Sequence, residues 1–525
     1  MMHAIATTLV LSFCLLHPTT SSAQPLSNIS SCLLSNGVRN FSLPASASYV
    51  TLLNSSIQNL RFALPEIGKP VTVVIPNSKV DLQRVILCAQ NSSLAIRVRS
   101  GGHSYEGLSY TTENHVPFGV IDLMNLNRVQ IDSATRTAWV ESGATLGELY
   151  YAIGQSNQSL AFSGGSCSTV GIGGFVSGGG FGLISRKFAL AADNVLDAIL
   201  MDPNGNALDR GSMGDDVFWA MRGGGGGNWG VVYAWKFQLV HVPNNITVFI
   251  LDRTGPVEHI AKLMHKWQFV GPYLPDEFYL SVYIPTGTSN GNVSMSFTGQ
   301  VLGPKRFAMS VLHHTFPELS LAESDLSEMS WVESTARFAG LNSVVDLTNR
   351  QLGSKQYSKS KSDYVRSPIS MQDTIKIIQY LSNGPRGFIQ LDPYGGAMAR
   401  LESSKIPFPH RAGNLYSIQY GVSWQASQND HADEFIGWLR SFYAYMAPYV
   451  SKDPRAAYVN YLDLDLGTNN WMNATDGTSD NSVVHARSWG RRYFLKNFDR
   501  LVRAKTKIDP GNVFNNAQSI PPLQY

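Results

Sequence analysis

The sequence predicts an α+β protein in which a mixed α/β domain precedes a domain built on an antiparallel sheet that helices cover on one face. Two observations support this prediction. The 525 residues are too many for a single hydrophobic core, so two or three domains are expected. The pattern also changes after Pro243, from short apolar runs among many glycines to alternating runs and amphipathic segments.

The first domain is assigned to residues 68–243, after an N-terminal segment of residues 24–67. Short apolar runs predict its strands, which are Val71–Ile75, Leu94–Val98 and Gly119–Leu123. Helical segments alternate with these runs, which is typical of a mixed α/β arrangement.

The second domain is assigned to residues 244–479. Alternating polarity predicts antiparallel strands, and apolar residues at helical spacing predict amphipathic helices. The strands are expected over 277–284 and 292–301, and the helices over 257–269, 371–382 and 431–446.

The C-terminal segment, residues 480–525, contains a predicted helix around Trp489–Lys505 and a turn-rich tail. This tail has too few apolar residues for a core of its own. We therefore expect the segment to pack against the first domain and complete it.

Residues 1–23 have the pattern of a secretory signal peptide: an apolar run, Ile5–Leu16, is followed by small residues ending at Ala23. We expect a secreted protein of the extracellular space or cell wall. No second apolar run is long enough to span a bilayer, so no membrane association is expected. The Asn-X-Ser/Thr sites expected to carry glycans are Asn28, Asn40, Asn54, Asn91, Asn157, Asn245, Asn292 and Asn473.

The cysteines suggest one disulfide and one thiol with another role. Removal of the signal peptide takes Cys14 away and leaves Cys32, Cys88 and Cys167. Cys32 and Cys88 are expected to pair, since neither has catalytic-looking neighbours and both lie early in the mature chain. Cys167 is then either an inert buried thiol or a reactive group.

Charge and glycine motifs exclude several classes of function. A net charge of +3, without a Lys/Arg cluster among aromatic residues, argues against nucleic acid as a partner. No phosphate-loop motif occurs, and Gly171–Val176 lacks the last glycine of a dinucleotide fingerprint. The five glycines in Arg222–Gly230 form either a flexible loop or a backbone surface packed against a flat group.

Two nucleophiles lie in separate glycine-rich turns: His103 in Arg99–Tyr105 and Cys167 in Gly164–Gly174. Small side chains and exposed backbone N–H groups let a large anionic cofactor approach closely. The pair therefore predicts a cofactor anchored at two points.

Seven segments along the mature chain carry a resemblance to one family, and they are Arg99–Gly107, Gly164–Gly182, Leu190–Ala198, Phe218–Gly227, Ile406–Gly413, Ala457–Gly467 and Gln518–Pro522. In their residues and order, they resemble the plant berberine bridge enzyme-like family of FAD-linked oxidoreductases. The resemblance implies a two-part FAD-binding domain of the PCMH (vanillyl-alcohol-oxidase) type. It also implies FAD joined to His103 through the flavin 8α carbon and to Cys167 through C6.

Other cofactor contacts are likewise implied by the resemblance. Glycines and hydroxyl side chains would bind the pyrophosphate, with two polar residues nearby and two asparagines closing over the cofactor from the tail. The implied FAD-binding residues are Arg99, Ser100, Gly101, Gly102, Ser104, Ser109, Gly173, Gly174, Asp193, Asn194, Asn512 and Asn516.

Alternation predicts which side chains face the substrate. In Tyr416–Trp424 the even positions are apolar, so Gln419 faces the cleft. In the next segment Leu462, Leu464 and Leu466 would be buried, which directs Tyr461 towards the cleft as the candidate general base. Tyr458 falls on the core side, where packing is the favoured interpretation unless a bulge intervenes.

The resemblance implies hydride transfer from an alcohol carbon to the flavin, with proton removal from the hydroxyl. Ser417 and Phe181 stand where alcohol-oxidising relatives have lysine and tyrosine, and Gln419 replaces the glutamate of alkaloid-cyclising relatives. We therefore expect an oligosaccharide oxidised at its anomeric carbon. The alternatives are an oxidase of phenylpropanoid or specialised-metabolite alcohols and a non-catalytic secreted flavoprotein.

Val170 is expected beside the flavin, three residues after Cys167. In resembling proteins valine at this place accompanies oxidases, since a larger side chain closes the pocket that admits O₂. The prediction is a monomeric oxidase that releases hydrogen peroxide, and the alternative is that Val170 is an ordinary core residue.

Overall fold

The computed structural model describes residues 23–112, 116–351, 355–469 and 481–523. Within these ranges the strands form three sheets of four, five and seven strands and a two-stranded ribbon. The predicted signal peptide lies outside the described residues, except for Ala23 at the start of the first helix. In the described part of the chain, no helix is both long and apolar enough to span a membrane.

The four-stranded sheet has the order β1-β2-β4-β3, with β2 and β3 parallel to β4 and β1 antiparallel to β2. Its strands are β1 (Phe41–Ser42), β2 (Thr72–Val74), β3 (Ala95–Arg99) and β4 (Phe118–Asp122), and its helices are α1 (Ala23–Ser35), α2 (Tyr49–Ser55) and α3 (Lys79–Asn91). Helix α3 begins at the Ser78 cap, whose hydroxyl accepts a hydrogen bond from the Asp81 N–H. As predicted, a disulfide joins Cys32 of α1 to Cys88 of α3.

The five-stranded sheet is antiparallel throughout, with the order β5-β6-β10-β8-β9. Its strands are β5 (Val129–Asp132), β6 (Thr137–Glu141), β8 (Val195–Met201), β9 (Ala207–Leu208) and β10 (Val231–Gln238), while β7 (Leu160–Ala161) and β11 (Val240–His241) form the ribbon. The helices in this part are α4 (Leu146–Ser156), α5 (Ile172–Ser177), α6 (Ser185–Phe188), α7 (Arg210–Met213) and α8 (Asp215–Met221).

The seven-stranded sheet is also antiparallel, with the order β15-β12-β14-β13-β17-β18-β16. Its strands are β12 (Ile246–Gly255), β13 (Phe278–Pro285), β14 (Val293–Val301), β15 (Ser327–Met329), β16 (Tyr357–Val365), β17 (Gly387–Pro393) and β18 (Tyr416–Trp424). The helices are α9 (Val257–Trp267), α10 (Lys305–Thr315), α11 (Trp331–Phe338), α12 (Met371–Ser382), α13 (Gly396–Arg400) and α14 (Ala432–Tyr445).

One face of this sheet packs in a hydrophobic core, and the other face is directed towards the first domain and lines a cavity. Helices α9, α12 and α14 pack on the core face, which contains Tyr416, Ile418 and Tyr420. The open face carries the intervening positions, including Gln419. The structure therefore confirms the predicted α+β class with helices on one face of an antiparallel sheet.

The C-terminal segment forms two helices, α15 (Asn481–Phe494) and α16 (Phe498–Ile508), instead of the single helix predicted around 489–505. The break lies at Leu495, whose φ of 47° is incompatible with a continuous helix. Helix α16 packs on α8, and buried Lys505 donates hydrogen bonds to the carbonyls of Asn228 and Phe514. The segment thus packs on the first domain.

Candidate active site

A cavity of about 630 Å³ lies where the glycine-rich turns of the first domain meet the open face of the seven-stranded sheet. Backbone and small side chains form one wall, and polar and aromatic side chains of the sheet form the other. Most of the residues predicted to form the site line this cavity: Ser100, Gly101, Gly102, His103, Ser104, Ser109, Cys167, Val170, Gly173, Gly174, Gln419, Tyr458, Tyr461 and Asn516.

The two predicted anchors lie on either side of one hydroxyl. Thr169 Oγ1 is 2.9 Å from His103 Nε2 and 3.6 Å from Cys167 Sγ. Burial lowers the pKa of His103 to about 4, so its ring is neutral at physiological pH. Since Nε2 is engaged by Thr169, Nδ1 is the ring nitrogen left to act as a nucleophile. Cys167 is a free cysteine with an exposed side chain.

Glycines bring the turns that carry His103 and Cys167 together. A Cβ at Gly101 would lie 2.3 Å from the backbone nitrogen of Gly171, a distance that real Cβ atoms do not adopt. The turns that carry His103 and Cys167 therefore contact each other backbone to backbone. This approach is possible only without side chains at these two positions.

The cavity wall fits a large cofactor with a flat ring and polar groups. Gly225 and Gly227 line it with φ values of 91° and 73°, and nothing lies within 4 Å of a Cβ placed at Gly174. Ser109 and Ser142 present buried hydroxyl oxygens that have no hydrogen-bond partner among the described residues. Buried hydroxyls normally have partners, so these two mark where a bound group would supply them.

Four residues predicted to bind the cofactor do not line the cavity. Arg99 is buried, pairs with Asp122 through Nε at 2.7 Å, and donates to the Leu52 and Leu53 carbonyls. Its role in the structure is to hold helix α2 against the sheet. Local sequence could not reveal this, because its partners lie far from it in the chain.

The remaining three, Asp193, Asn194 and Asn512, also lie outside the cavity lining. Asp193 forms an ion pair with Arg411 at 2.9 Å, and Asn194 donates to the carbonyls of Phe188 and Leu190. Asn512 adopts a φ of 51° in the tail, and its side-chain oxygen is buried without a partner among the described residues. Asp193 and Asn194 therefore stabilise loops in this structure.

The sheet contributes a polar wall that sequence analysis did not identify. Tyr279, Ser281, Gln390 and Asp392 line the cavity beside Gln419. The Tyr279 hydroxyl and the Gln390 amide donate to Asp392 Oδ1 at 2.6 and 3.2 Å. Burial raises the pKa of this carboxyl group. The signal in the sequence was the alternation of Gln390 and Asp392 with apolar Ile389 and Leu391.

Tyr105 is a further residue that the sequence pattern did not single out, and it connects the turn of His103 with the seven-stranded sheet and with Tyr461. Its ring stacks on Tyr461, with centroids 5.5 Å apart and planes 10° apart. Gln419 Nε2 donates to the Tyr105 hydroxyl at 2.8 Å. Burial raises the pKa of both tyrosines. In the described part of the chain the Tyr461 hydroxyl makes no hydrogen bond, so it is available to a ligand.

The Tyr458 hydroxyl is surrounded by donors, in contrast to that of Tyr461. It accepts hydrogen bonds from the backbone N–H groups of Gly180 and Phe181, both at 3.1 Å, and from Asn460 Nδ2 at 3.0 Å. Burial raises the pKa of Tyr458 to about 12, while these donors oppose the rise. Packing, the role predicted for Tyr458, is therefore only part of its role. Its hydroxyl oxygen also lies at the cavity wall, where three donors bind it.

The predicted alternation over residues 461–466 is wrong. The segment forms two single turns of 3₁₀ helix, Val459–Tyr461 and Leu464–Leu466. Leu462 and Leu464 are only half-buried, whereas Asp463 is 1% exposed. Tyr461 still reaches the cavity because of the turn, and not because it faces the polar side of a strand.

Ion pairs explain why Asp463 is buried. Lys359 Nζ and Lys361 Nζ lie 2.9 and 2.7 Å from its two carboxylate oxygens. Lys359 also forms an ion pair with Glu106, and Lys361 with Asp465. We call these residues the Lys359 cluster: Glu106, Lys359, Lys361, Asp463 and Asp465. The cluster joins strand β16 to Glu106, next to Tyr105, and to Asp463, two residues after Tyr461. It therefore links the two segments that carry the stacked tyrosines.

The predicted glycan sites that the structure describes lie at or near the surface. Asn28, Asn54, Asn91 and Asn245 are exposed, and Asn40, Asn157 and Asn292 are half-buried. Asn473 lies outside the described residues, as does the boundary drawn between residues 479 and 480.

Comparison with known proteins gives matches over most of the chain. The family model "FAD binding domain" matches residues 70–211, and "Berberine and berberine like" matches residues 457–521. Reticuline oxidase from Eschscholzia californica is 50% identical over 497 residues, covering 94% of this chain and 91% of the relative. Two solved structures are similar as well.

The structure of berberine bridge enzyme from Eschscholzia californica has a TM-score of 0.92 at 48% identity, covering 95% of this chain and 99% of that one. A variant of Phl p 4, described as a glucose dehydrogenase, has a TM-score of 0.89 at 39% identity, covering 95% of this chain and 100% of that one. These matches confirm the family and the fold that the sequence implies, and they confirm FAD as the cofactor.

Proposed function

The chain belongs to the berberine bridge enzyme-like family of FAD-linked oxidoreductases, and from this premise we propose that it is a secreted oxidase of the anomeric carbon of an oligosaccharide. The observation that carries the proposal is the pairing of donor-stabilised Tyr458 with a polar sheet wall around Gln419 and Asp392. The proposal includes FAD attached through both His103 and Cys167.

The double attachment is supported by the geometry around Thr169. The neutral imidazole of His103 keeps Nδ1 available, and the Cys167 thiol lies on the same cavity wall. The disulfide between Cys32 and Cys88 leaves Cys167 without a cysteine partner among the described residues. Two covalent bonds would hold the ring rigidly against the glycine wall.

The reaction needs an acceptor for a hydride and an acceptor for a proton. FAD bound here would supply the hydride acceptor and the route for both electrons to O₂, which takes up two protons and leaves as hydrogen peroxide. The anomeric C–H bond breaks with its electron pair while the hydroxyl proton passes to Tyr458 Oη, so the sugar becomes a lactone. Three donors at Tyr458 favour the phenolate that acts as the base.

Tyr461 remains the other candidate for the proton acceptor. Its hydroxyl is open to the cavity, but no donor among the described residues stabilises its phenolate, and burial raises its pKa. We therefore assign Tyr461 to substrate positioning, together with Gln419, whose amide is oriented by the Tyr105 hydroxyl. Asp392 is placed to accept a hydrogen bond from a substrate hydroxyl.

A sugar substrate is supported by the polar wall and by the similar solved structure described as a glucose dehydrogenase. The second candidate, an aromatic alcohol, is favoured by the rings of Tyr105, Phe181 and Tyr461 at the cavity. Gln419 is neutral and cannot replace a carboxylate base, which argues against the chemistry of the alkaloid-cyclising relatives.

Anaerobic reduction of the purified flavoprotein tests the proposal. Cello- and xylo-oligosaccharides should bleach the flavin absorbance faster than cinnamyl alcohols, and galacturono-oligosaccharides complete the panel. Bleaching by cinnamyl alcohols alone would support the second candidate. A yellow protein that no sugar or alcohol reduces would support a non-catalytic flavoprotein.

A further inference from the structure

We propose that Tyr283 and Phe388 form an outer subsite that binds a second ring of a neutral oligosaccharide, an inference that rests on the proposed function. The two rings stack with centroids 5.3 Å apart and planes 29° apart. Phe388 lines the cavity, and Tyr283, 37% exposed, lies beside it at the solvent side. We call this pair the aromatic ledge.

The register of the sheet connects the ledge with the reacting end of the cavity. Gln419 on β18 is opposite Gln390 on β17, and Gln390 is opposite Tyr283 on β13. Two strand spacings separate Gln419 from Tyr283, which is about 10 Å. A single sugar ring held at Gln419 does not extend over that distance, whereas a chain of two or more rings does.

Exposure increases along the same face towards the ledge. On β13, Tyr279 and Ser281 are 7% and 1% exposed, and Tyr283, the next residue on that face, is 37% exposed. On β17, Asp392 is buried and Phe388 is half-buried. The wall therefore runs from a buried inner end to a solvent-exposed opening. A site that binds the end of an oligosaccharide requires this arrangement.

The ledge is rigid before any ligand arrives. A Cβ at Gly421 would lie 2.3 Å from the Phe388 ring, so the ring rests directly on the backbone of β18. Tyr283 stacks on this fixed ring. Little side-chain freedom is left to lose on binding, which lowers the entropic cost of an encounter with a ligand.

The neighbours of the ledge suit a carbohydrate. Tyr283 is flanked on adjacent strands by Ser296 and Gln390, so polar groups lie on both sides of an aromatic face. A sugar ring has C–H groups on its faces and hydroxyls around its rim. The faces can pack on the aromatic ring while the rim hydroxyls bond to the serine and the amide.

The charges along this wall favour a neutral sugar over a uronic acid. Among the described residues of the sheet, the carboxyl group of Asp392 is the one acidic group that lines the cavity. No lysine or arginine of the sheet lines it. A substrate carboxylate at the buried inner end of this wall would lose its water without gaining a cationic partner from the sheet, which is unfavourable. Arg386 is exposed next to the ledge but outside the cavity lining.

Steady-state kinetics on neutral sugars of one to five rings test the inference with the holoenzyme. The variants are Phe388→Leu, which keeps an apolar cover on Gly421, and Tyr283→Ala. Each should raise KM for chains of two or more rings about 3- to 10-fold more than it raises KM for the monosaccharide, which is the effect expected for one lost ring contact. Phe269→Ala removes a ring that is 51% exposed on the helical side and is the matched control.

The outcomes separate this inference from the proposed function. The aromatic ledge is contradicted in two cases: sugars reduce the wild-type flavin with a KM that does not depend on chain length, or the variants raise KM equally for all lengths. Neither result contradicts the proposed function. A preference for galacturono-oligosaccharides overturns the neutral-substrate part. A wild-type protein that no sugar reduces overturns both.

Discussion

Tyr105 stacks face to face on Tyr461, although the two residues lie far apart in the chain. Tyr105 lies two residues after His103, in the turn that would hold the cofactor, and Tyr461 ends the turn Val459–Tyr461, which lines the cavity. Gln419 from the seven-stranded sheet bonds to the same Tyr105 hydroxyl. The turn after His103, the seven-stranded sheet and the turn that ends at Tyr461 therefore meet at this aromatic pair. A change in any of the three should disturb the stacking of the two rings.

The cofactor linkage should survive denaturation. In the proposed double attachment, denatured wild-type protein keeps its flavin colour after acid precipitation, and Cys167→Ala keeps it through His103. The double variant His103→Ala with Cys167→Ala should release FAD or fail to fold. Mass spectrometry of the intact chain is the measurement, and a wild-type mass without FAD contradicts the attachment.

Removal of the Tyr458 hydroxyl should slow flavin reduction more than removal of the Tyr461 hydroxyl. Loss of a general base costs about 10²- to 10⁴-fold, so Tyr458→Phe is expected in this range, and Tyr461→Phe should cost less. Both variants keep their rings and should fold. Stopped-flow anaerobic reduction measures the rates, and the reverse order would assign the base to Tyr461.

Flavin reduction should accelerate with rising pH. Burial raises the pKa of Tyr458 to about 12, so the reactive phenolate is the minor form at neutral pH and its fraction grows as pH approaches that value. Below the pKa, each unit of pH should raise the rate by up to about tenfold. The Tyr458→Phe variant should lose this dependence, and an unchanged pH profile in that variant would argue against the assignment.

Loss of the buried Lys359 ammonium should destabilise the fold and slow catalysis together. Lys359→Met leaves Glu106 and Asp463 buried with one fewer cation, and breaking such a pair costs about 3–5 kcal/mol. Chemical denaturation measures the loss in the free energy of unfolding. Lys187→Met is the control, because Lys187 and its ion-pair partner Glu277 are each about one-third exposed. Its loss in the free energy of unfolding should be below about 1 kcal/mol.

A second variant separates charge from packing in the Lys359 cluster. Glu106→Gln added to Lys359→Met removes one uncompensated carboxylate and should restore part of the stability. If the double variant is as unstable as Lys359→Met alone, the lost packing of the lysine stem accounts for the effect.

Val170→Leu should slow reoxidation by O₂ and leave anaerobic reduction nearly unchanged. Val170 is half-buried on the cavity wall, and its backbone N–H bonds to the Cys167 carbonyl at 3.3 Å. In a close-packed wall one added methylene is enough to fill a small pocket. Stopped-flow reoxidation of the two reduced proteins decides the point, and equal rates would mean that Val170 does not control access of oxygen.

Features set by local pattern were predictable from the sequence. The strands at 72–74, 95–99 and 118–122 and the helices of the second domain follow from periodicity, because burial of one face imposes a period of 2 or 3.6. The Cys32–Cys88 disulfide followed from the cysteine count. The turns that carry His103 and Cys167 were visible in the sequence because their glycines and small residues reflect a close approach of backbone.

Only the tertiary structure decided which polar side chains share a surface. Asp463 interrupts the predicted alternation because two lysines about 100 residues earlier bury it, and Arg99 is directed away from the cavity by Asp122. Asp392 and Tyr105 become site residues because of strand register and ring stacking with residues far along the chain. Periodicity identifies the face that a side chain takes relative to its own backbone, whereas ion pairs and stacking depend on partners that folding alone brings near.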